Sequence, residues 1–291
     1  YTLLEAHSPT TLRLRPFLAY RNRHKLSKAN LLVNTLHDDI ENGIASNLYE
    51  GFPTLHMQLN KKNDFVSNPD WYYNIEYREE LERGYDYLED KFTPGYFELP
   101  IKTGESVVFS ASLKEEKTNT LLKSFEKELS ARPPKNSFIN CLKNSATQFI
   151  VQQGKDTEVI AGYPWFGRWG RDTFISLPGL TLAGNYDPES CKAVLDTMSR
   201  EVNNGLFPNI GKNENAAYNS VDAPMWYFWA IQKYAEATQN TEEVWKSYGK
   251  KMKAVLQAFR DGINENILMH ENGLIWALQA GKALTWMDAV V

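Results

Sequence analysis

Ser137-Phe138-Ile139-Asn140-Cys141-Leu142-Lys143-Asn144-Ser145-Ala146-Thr147-Gln148-Phe149-Ile150 is where the chain changes character. Phe138, Cys141, Leu142, Ala146, Phe149 and Ile150 recur there at spacings of three and four, the mark of an apolar stripe on a helix. The same period downstream predicts helices over residues 172–183, 187–203, 222–238 and 241–263. Asp187 and Thr241 stand at two of the starts with a Glu in the turn that follows, and Gly205 and Gly262 lie near ends. These are the residue types that satisfy the unpaired amides and carbonyls of helix termini. Two of the helices, around Phe174-Ile175 and Trp226-Tyr227-Phe228-Trp229, are apolar nearly all round, which fits an inner layer covered by outer helices.

Upstream of this stretch the period is two. Thr11-Leu12-Arg13-Leu14-Arg15 alternates, and Leu55, Met57 and Leu59 alternate with His56, Gln58 and Asn60, which puts the polar set on the solvent side. Trp71-Tyr72-Tyr73-Asn74-Ile75-Glu76-Tyr77 is aromatic and β-prone, and Tyr96-Phe97-Glu98-Leu99-Pro100-Ile101 leads over Thr103-Gly104-Glu105 into Val107-Val108-Phe109-Ser110. The pattern predicts an antiparallel β-sandwich over residues 1–115 and a charged linker or short surface helix over 116–136. An all-α part is predicted from 137 to 291, where the last residues, Asp288-Ala289-Val290-Val291, read as an unfinished fold. Arg21-Asn22-Arg23-His24 reads as a solvated turn, and Glu79-Glu80-Leu81-Glu82 as a solvated face.

Composition narrows the function. The 291 residues carry a net charge of −4, which excludes a strongly basic nucleic-acid binder because no dense cationic surface is available for counterion release. No apolar run approaches the roughly 20 residues of a membrane span. Cys141 and Cys191 form no disulfide framework and have no metal-ligand spacing, which makes a reducing cytoplasm the default compartment. His7, His24, His37, His56 and His270 show no metal spacing either, so neither a metal nor a cofactor is expected. The 15 Tyr and 8 Trp are the side chains that stack on the C–H face of a sugar, although a large core also uses them.

Three segments concentrate polar chemistry at helix starts. Gly162-Tyr163-Pro164-Trp165-Phe166-Gly167-Arg168-Trp169-Gly170-Arg171-Asp172 is a poor recipe for a core and a good one for a concave polar site. Arg171 and Asp172 set a fork of donors beside a pair of acceptors, able to hold neighbouring hydroxyls of one ring, with Trp165, Trp169 and Arg168 beside them. The plainer reading makes Asp172 a helix cap and the arginines surface charges. Tyr218-Asn219-Ser220-Val221-Asp222-Ala223-Pro224 offers Asn219 and Asp222 to the same cavity, against a reading of Asp222 as an N-cap only. In Leu284-Thr285-Trp286-Met287-Asp288-Ala289, Trp286 and Met287 give the Asp288 carboxyl an apolar setting of the kind that keeps a general acid protonated.

Taken with Gly205-Leu206-Phe207-Pro208-Asn209, these ordered segments resemble the bacterial and archaeal glycogen debranching enzymes, the amylo-α-1,6-glucosidase family. Residues 1–115, with Arg83-Gly84-Tyr85-Asp86, resemble the later part of that family's N-terminal β-sandwich. The resemblance implies part of an (α/α)6 barrel over 137–291 and hydrolysis of α-1,6-linked glucose branch points of glycogen, limit dextrin or another branched α-glucan, with inversion. It implies that Arg171 and Asp172 hold the terminal glucose and that Asp288 is the general acid; Trp165, Trp169, Arg168, Asn219, Asp222 and Trp286, read from the segments themselves, are expected to complete the substrate site. The general base, a glutamate in the family, is expected beyond Val291, so this stretch alone is expected to be inactive. Inverting hydrolysis needs two carboxyl groups about 6.5–9.5 Å apart, which distant chain regions can supply. Two alternatives stay open: another (α/α)6 glycosidase of the glucoamylase or trehalase kind, or a glycan-binding piece without catalysis.

Overall fold

The computed structural model describes residues 1–287, and the chain divides into two compact units, Tyr1–Arg132 and Pro133–Val291. The first unit runs β1 (Thr10–Leu14), β2 (Asp38–Ile40), β3 (Gly43–Ser46), β4 (Leu55–Leu59), β5 (Asp64–Glu76), α1 (Arg78–Glu82), β6 (Leu88–Ile101), β7 (Phe109–Ser112) and α2 (Leu121–Ala131). Its strands form two antiparallel sheets, in the orders β1-β6-β5 and β2-β3-β4-β7. Ile44, Met57 and Leu59 of one sheet and Phe92, Phe97, Leu99 and Ile101 of the other belong to one buried cluster. Each such side chain removed from water contributes about 1.5–3 kcal/mol. Arg13 is exposed between the half-buried Leu12 and Leu14, as a period of two requires.

Polar residues depart from simple alternation at two places in this unit. Gln58 is buried, because its amide donates to the carbonyls of Glu41 and Glu116 while its Oε1 accepts from Glu116 N–H. A side chain with both donors and its acceptor satisfied can lie inside a sheet face at little cost. Arg21 is not part of a solvated turn; it pairs with Glu89, whose side chain is fully buried. Burial pushes the Glu89 carboxyl up, but the Arg21 guanidinium, the Tyr77 hydroxyl and the Ser27 amide and hydroxyl outweigh it and hold the group down at about 2.

The second unit runs α3 (Phe138–Gln148), β8 (Ile150–Gln153), β9 (Asp156–Val159), α4 (Gly170–Leu177), α5 (Pro188–Ser199), α6 (Ala223–Thr238), α7 (Thr241–Asp261), β10 (Ile267–Met269) and β11 (Ile275–Ala277). The expectation of an all-α part, and of an (α/α)6 barrel with it, is therefore wrong. β8 pairs with β9 and β10 with β11, and the described residues are mixed, with 33% helix and 26% strand in several small sheets. The reason is local. Gly154 and Gly273 take left-handed backbone angles, φ 62° and φ 83°, and let short apolar runs fold back on themselves. Ile150, counted into the helical stripe by its spacing, opens β8 instead.

Some helix ends of this unit fall where the sequence places them, while α5 stops at Ser199, short of the expected 203 and of Gly205. Asp187 accepts from Ser190 N–H at the start of α5 with Pro188 in its first turn. At α7 the cap is Asn240, one residue before the expected Thr241, and it accepts from Glu243 N–H. Gly262 closes α7 with φ 84°. α4 passes at Pro178 into a π-helical turn over Pro178–Ala183. Phe174 of α4, Phe207 of the loop after α5 and Tyr227 of α6 meet in a ring cluster with centroids 4.7–5.3 Å apart. Among the described residues, no helix is long and apolar enough to cross a membrane.

Candidate functional site

The segments singled out by composition are distant in the chain and adjacent in the second unit. Gly170 N–H, at the start of α4, donates to the Asn209 carbonyl at 3.0 Å, and Asn209 N–H donates to the Ala217 carbonyl at 2.8 Å. Gly170 has to be glycine: a methyl group there would overlap the Pro208 carbonyl oxygen. Val221 N–H in turn donates to the Leu284 carbonyl at 2.9 Å, which brings the third segment alongside the second. The ring cluster of Phe174, Phe207 and Tyr227 lies beneath these loops and ties their helices together. Burial pushes the Tyr227 hydroxyl up to about 12 against a hydrogen bond with Ser199, so this floor stays uncharged at neutral pH.

Arg171 is the centre of the polar arrangement. Its Nε donates to Asp222 Oδ2 at 2.8 Å and its Nη2 to Ser220 Oγ at 3.3 Å, while Ser220 Oγ donates to Asp222 Oδ1 at 2.5 Å. Asp222 precedes α6 but makes no side-chain cap, because its oxygens face Arg171 and Ser220. Ser220 is fully buried and was not among the expected site residues, although a hydroxyl two positions before a carboxylate at a helix start is a local signal that could have marked it. Asp172 is exposed in the first turn of α4 and borders a cavity of about 310 Å³ walled mainly by Phe149, Val159, Ala161, Ile175 and Leu180. No side-chain hydrogen bond or ion pair engages its carboxylate among the described residues.

Arg168 behaves differently from its neighbour. It is buried, with Nη1 and Nη2 on Glu201 at 2.7 and 2.5 Å, Nη1 on Glu158 at 3.3 Å, and Nη2 on the Gly211 carbonyl at 3.1 Å. Lys212 also reaches Glu158. This places Arg168 inside the protein, fixing the loop rather than facing a ligand. Nothing in the residue pattern singled out Glu158 or Glu201, since a lone acid in a strand or after a helix is usually solvated.

The other expected residues are placed as follows. Trp165 is exposed, and Trp169 is half-buried with its ring edge-on to Phe166, centroids 6.1 Å apart. The side-chain Oδ1 atoms of Asn219 and Asn209 are buried without a hydrogen-bond partner among the described residues. Trp286 and Met287 are 68% and 49% exposed. Asp288 lies outside the described residues. Among the described residues no group of three or more His, Cys, Asp or Glu side chains is arranged to hold a metal ion.

Residues 144–291 match the family described as amylo-alpha-1,6-glucosidase, and residues 1–108 match the one described as glycogen debranching enzyme N terminal. The chain belongs to the glycogen debranching enzyme family. A glycogen debranching enzyme of Saccharomyces cerevisiae is 30% identical over 123 residues, covering 37% of this chain. The chain spans about 8% of the length of that curated relative. No solved structure matches. The amylo-alpha-1,6-glucosidase match takes in Arg171, Ser220, Asp222 and every other residue of the polar arrangement around α4 and α6.

Proposed function

We propose that the protein is a glycoside hydrolase that removes α-1,6-linked glucose from the branch points of glycogen or limit dextrin, with inversion, and that the loops around Arg171 bind the terminal glucose. The observation that carries this reading is the Arg171–Ser220–Asp222 arrangement beside the unengaged Asp172 carboxylate, in a stretch matched by the amylo-alpha-1,6-glucosidase family. Ser220 and Asp222 fix two of the guanidinium nitrogens, which leaves Nη1 for a sugar hydroxyl. Asp172 supplies acceptors at the rim of a cavity whose volume, about 310 Å³, lies at the lower end of small-ligand sites. Its apolar wall suits the C–H face of a pyranose, while Trp165 and Trp169 offer rings for stacking. Asn219 and Trp286, which lie on the neighbouring segments and do not line this cavity, are assigned further contacts with the glucan, and Arg168 acts by holding the loop.

Asp288 is the general acid in this reading. It gives its proton to the glycosidic oxygen as the bond to the anomeric carbon breaks, while water attacks that carbon from the opposite face. A second carboxylate takes the proton from the water, and the proposal assigns no residue to it. The complete protein is expected to release glucose from branched limit dextrin and to leave maltose and trehalose intact; turnover of either disaccharide instead points to a glucoamylase- or trehalase-like activity. Asp288→Asn is expected to lose far more activity on branched dextrin than on a glucosyl fluoride, whose leaving group needs little protonation. Equal losses on the two substrates would remove Asp288 from the role of acid.

A further inference from the structure

The aromatic strand of the first unit has no part in the site around Arg171, yet its placement is specific. β5 shifts register between Tyr72 and Ile75, and Asn74 takes a left-handed φ of 56° at the shift. The buried Asp90 holds the irregularity in place by accepting from Asn74 N–H at 2.8 Å and from Ala29 N–H at 3.0 Å. In a regular strand consecutive residues face opposite ways. Here Tyr72 and Tyr73 are both exposed, Tyr73 by 63%. A buried carboxylate thus holds the irregularity beside two exposed tyrosines of an edge strand.

Around Tyr72 a row of rings and guanidinium groups crosses the outer side of the β1-β6-β5 sheet. The Phe17 ring is edge-on to Tyr72 at 4.7 Å, and the Arg15 guanidinium lies 5.7 Å from the Tyr72 ring and 5.2 Å from the Tyr96 ring. Arg13 lies 4.2 Å from Tyr96 and pairs with Glu98 through Nε and Nη2 at 2.9 and 2.6 Å. Arg15 Nη1 also donates to the Tyr72 hydroxyl. Each group is held by its neighbour, so the row is rigid before any ligand arrives, and ordering it on binding costs little.

We infer that this row is a second carbohydrate-binding surface, separate from the site around Arg171, that takes an unbranched outer strand of the α-glucan on which the protein is proposed to act. The inference rests on that proposed function for its ligand class. The ring faces that Tyr72 and Tyr73 leave in water meet the C–H faces of successive glucose units, while the guanidinium N–H groups, Glu98 and the tyrosine hydroxyls meet their hydroxyls. A polyanion fits less well, since Glu98 neutralises Arg13 and β5 carries Asp64, Asp70 and Glu76 on the same strand as Tyr72. A second hold on a polymer raises the concentration of its branch points at the first site without any new contact there.

The test uses the complete protein in native gels cast with glycogen or with a polyanion such as heparin, together with kinetics on glycogen and on a short branched oligosaccharide. Tyr96→Ala and Tyr72→Ala are expected to lose retention by glycogen and to raise KM for glycogen about threefold to tenfold. Their kcat, their kinetics on the short substrate and their thermal midpoints are expected to stay at wild-type values, and Tyr96→Phe is expected to restore retention. Unchanged retention and KM in the two alanine variants overturn the inference, as does retention of the wild type by heparin but not by glycogen. A wild type that cleaves the short substrate and ignores glycogen in the gel overturns the second surface alone. A wild type that neither binds glucan nor cleaves it overturns the proposed function.

Discussion

Glu89 in the first unit and Asp222 in the second are both carboxylates facing an arginine, and they end in opposite states. Glu89 is sealed, with Arg21, Tyr77 and both donors of Ser27 filling its oxygens. Asp222 takes bonds from Arg171 and Ser220 and keeps 22% of its side chain exposed, beside an Asp172 that no side chain engages. Arg168 repeats the sealed pattern three residues from Arg171, inside the same loop. A carboxylate–guanidinium pair with every position filled stabilises a fold. One left with a free donor and a neighbouring free acceptor is what the proposed glucose site calls for.

Substitutions break this contrast to different extents. Arg168→Ala leaves Glu201 without its cation, Glu158 with Lys212 alone and a void in place of a buried guanidinium, and is expected to destabilise the second unit by about 3–5 kcal/mol in urea titrations. A loss below about 1 kcal/mol would mean that the network is solvated and the contrast unfounded. Asp172→Ala, by comparison, is expected to leave the urea midpoint unchanged. It is expected to lower kcat/KM of the complete protein by about 10- to 150-fold, the equivalent of one charge-assisted hydrogen bond of roughly 1.5–3 kcal/mol. Near-normal turnover removes it from the glucose site.

The sealed centre of the first unit has a pH signature. Since Glu89 is held from its ordinary 4.5 down to about 2, its contribution is complete above pH 4.5 and disappears as pH falls toward 2. Glu89→Gln is expected to cost about 1–3 kcal/mol at neutral pH, and the gap to wild type is expected to close across that acidic window. A gap that is constant with pH would show that the charge on Glu89 does not matter. The smallest effect is expected from Ser220→Ala, which removes one neutral hydroxyl from the Arg171–Asp222 pair. A two- to tenfold rise in KM, corresponding to about 0.5–1.5 kcal/mol, with kcat little changed is the expected reading from initial rates.

Much of this was legible from residue patterns. The apolar period placed α6 and α7 to within a few residues, and Asp187 announced the start of α5; the Gly/Trp/Arg loop drew attention to Arg171 and Asp172, on which the proposed site is built. What escaped has physical causes. Ile150–Gln153 and Ile275–Ala277 are too short for periodicity to distinguish strand from helix, and the glycine turns that decide the matter act over two residues. Gln58 and Arg21 look like solvated residues because their partners, Glu116 and Glu89, are 58 and 68 positions away. Asp222 could be read from the sequence either as an N-cap or as a residue of the polar cavity, because its sequence neighbours are those of a cap while its partner is 51 positions earlier.

That last separation also sets an order of events at the ribosome. Arg171 is made 51 residues before Asp222, and Val221 is made 63 residues before the Leu284 carbonyl that receives its N–H. At roughly 5–20 residues per second, the Arg171 guanidinium waits about 3–10 s for its carboxylate, and the third segment arrives later still. Throughout that interval the Arg171 guanidinium lacks its carboxylate, although Glu158, Glu201 and Asn209, which hold the adjoining loop, are all made before Asp222. A glucose-binding signal from a stalled translation series is therefore expected to appear in one late step, once Leu284 has cleared the exit tunnel, rather than to grow with chain length.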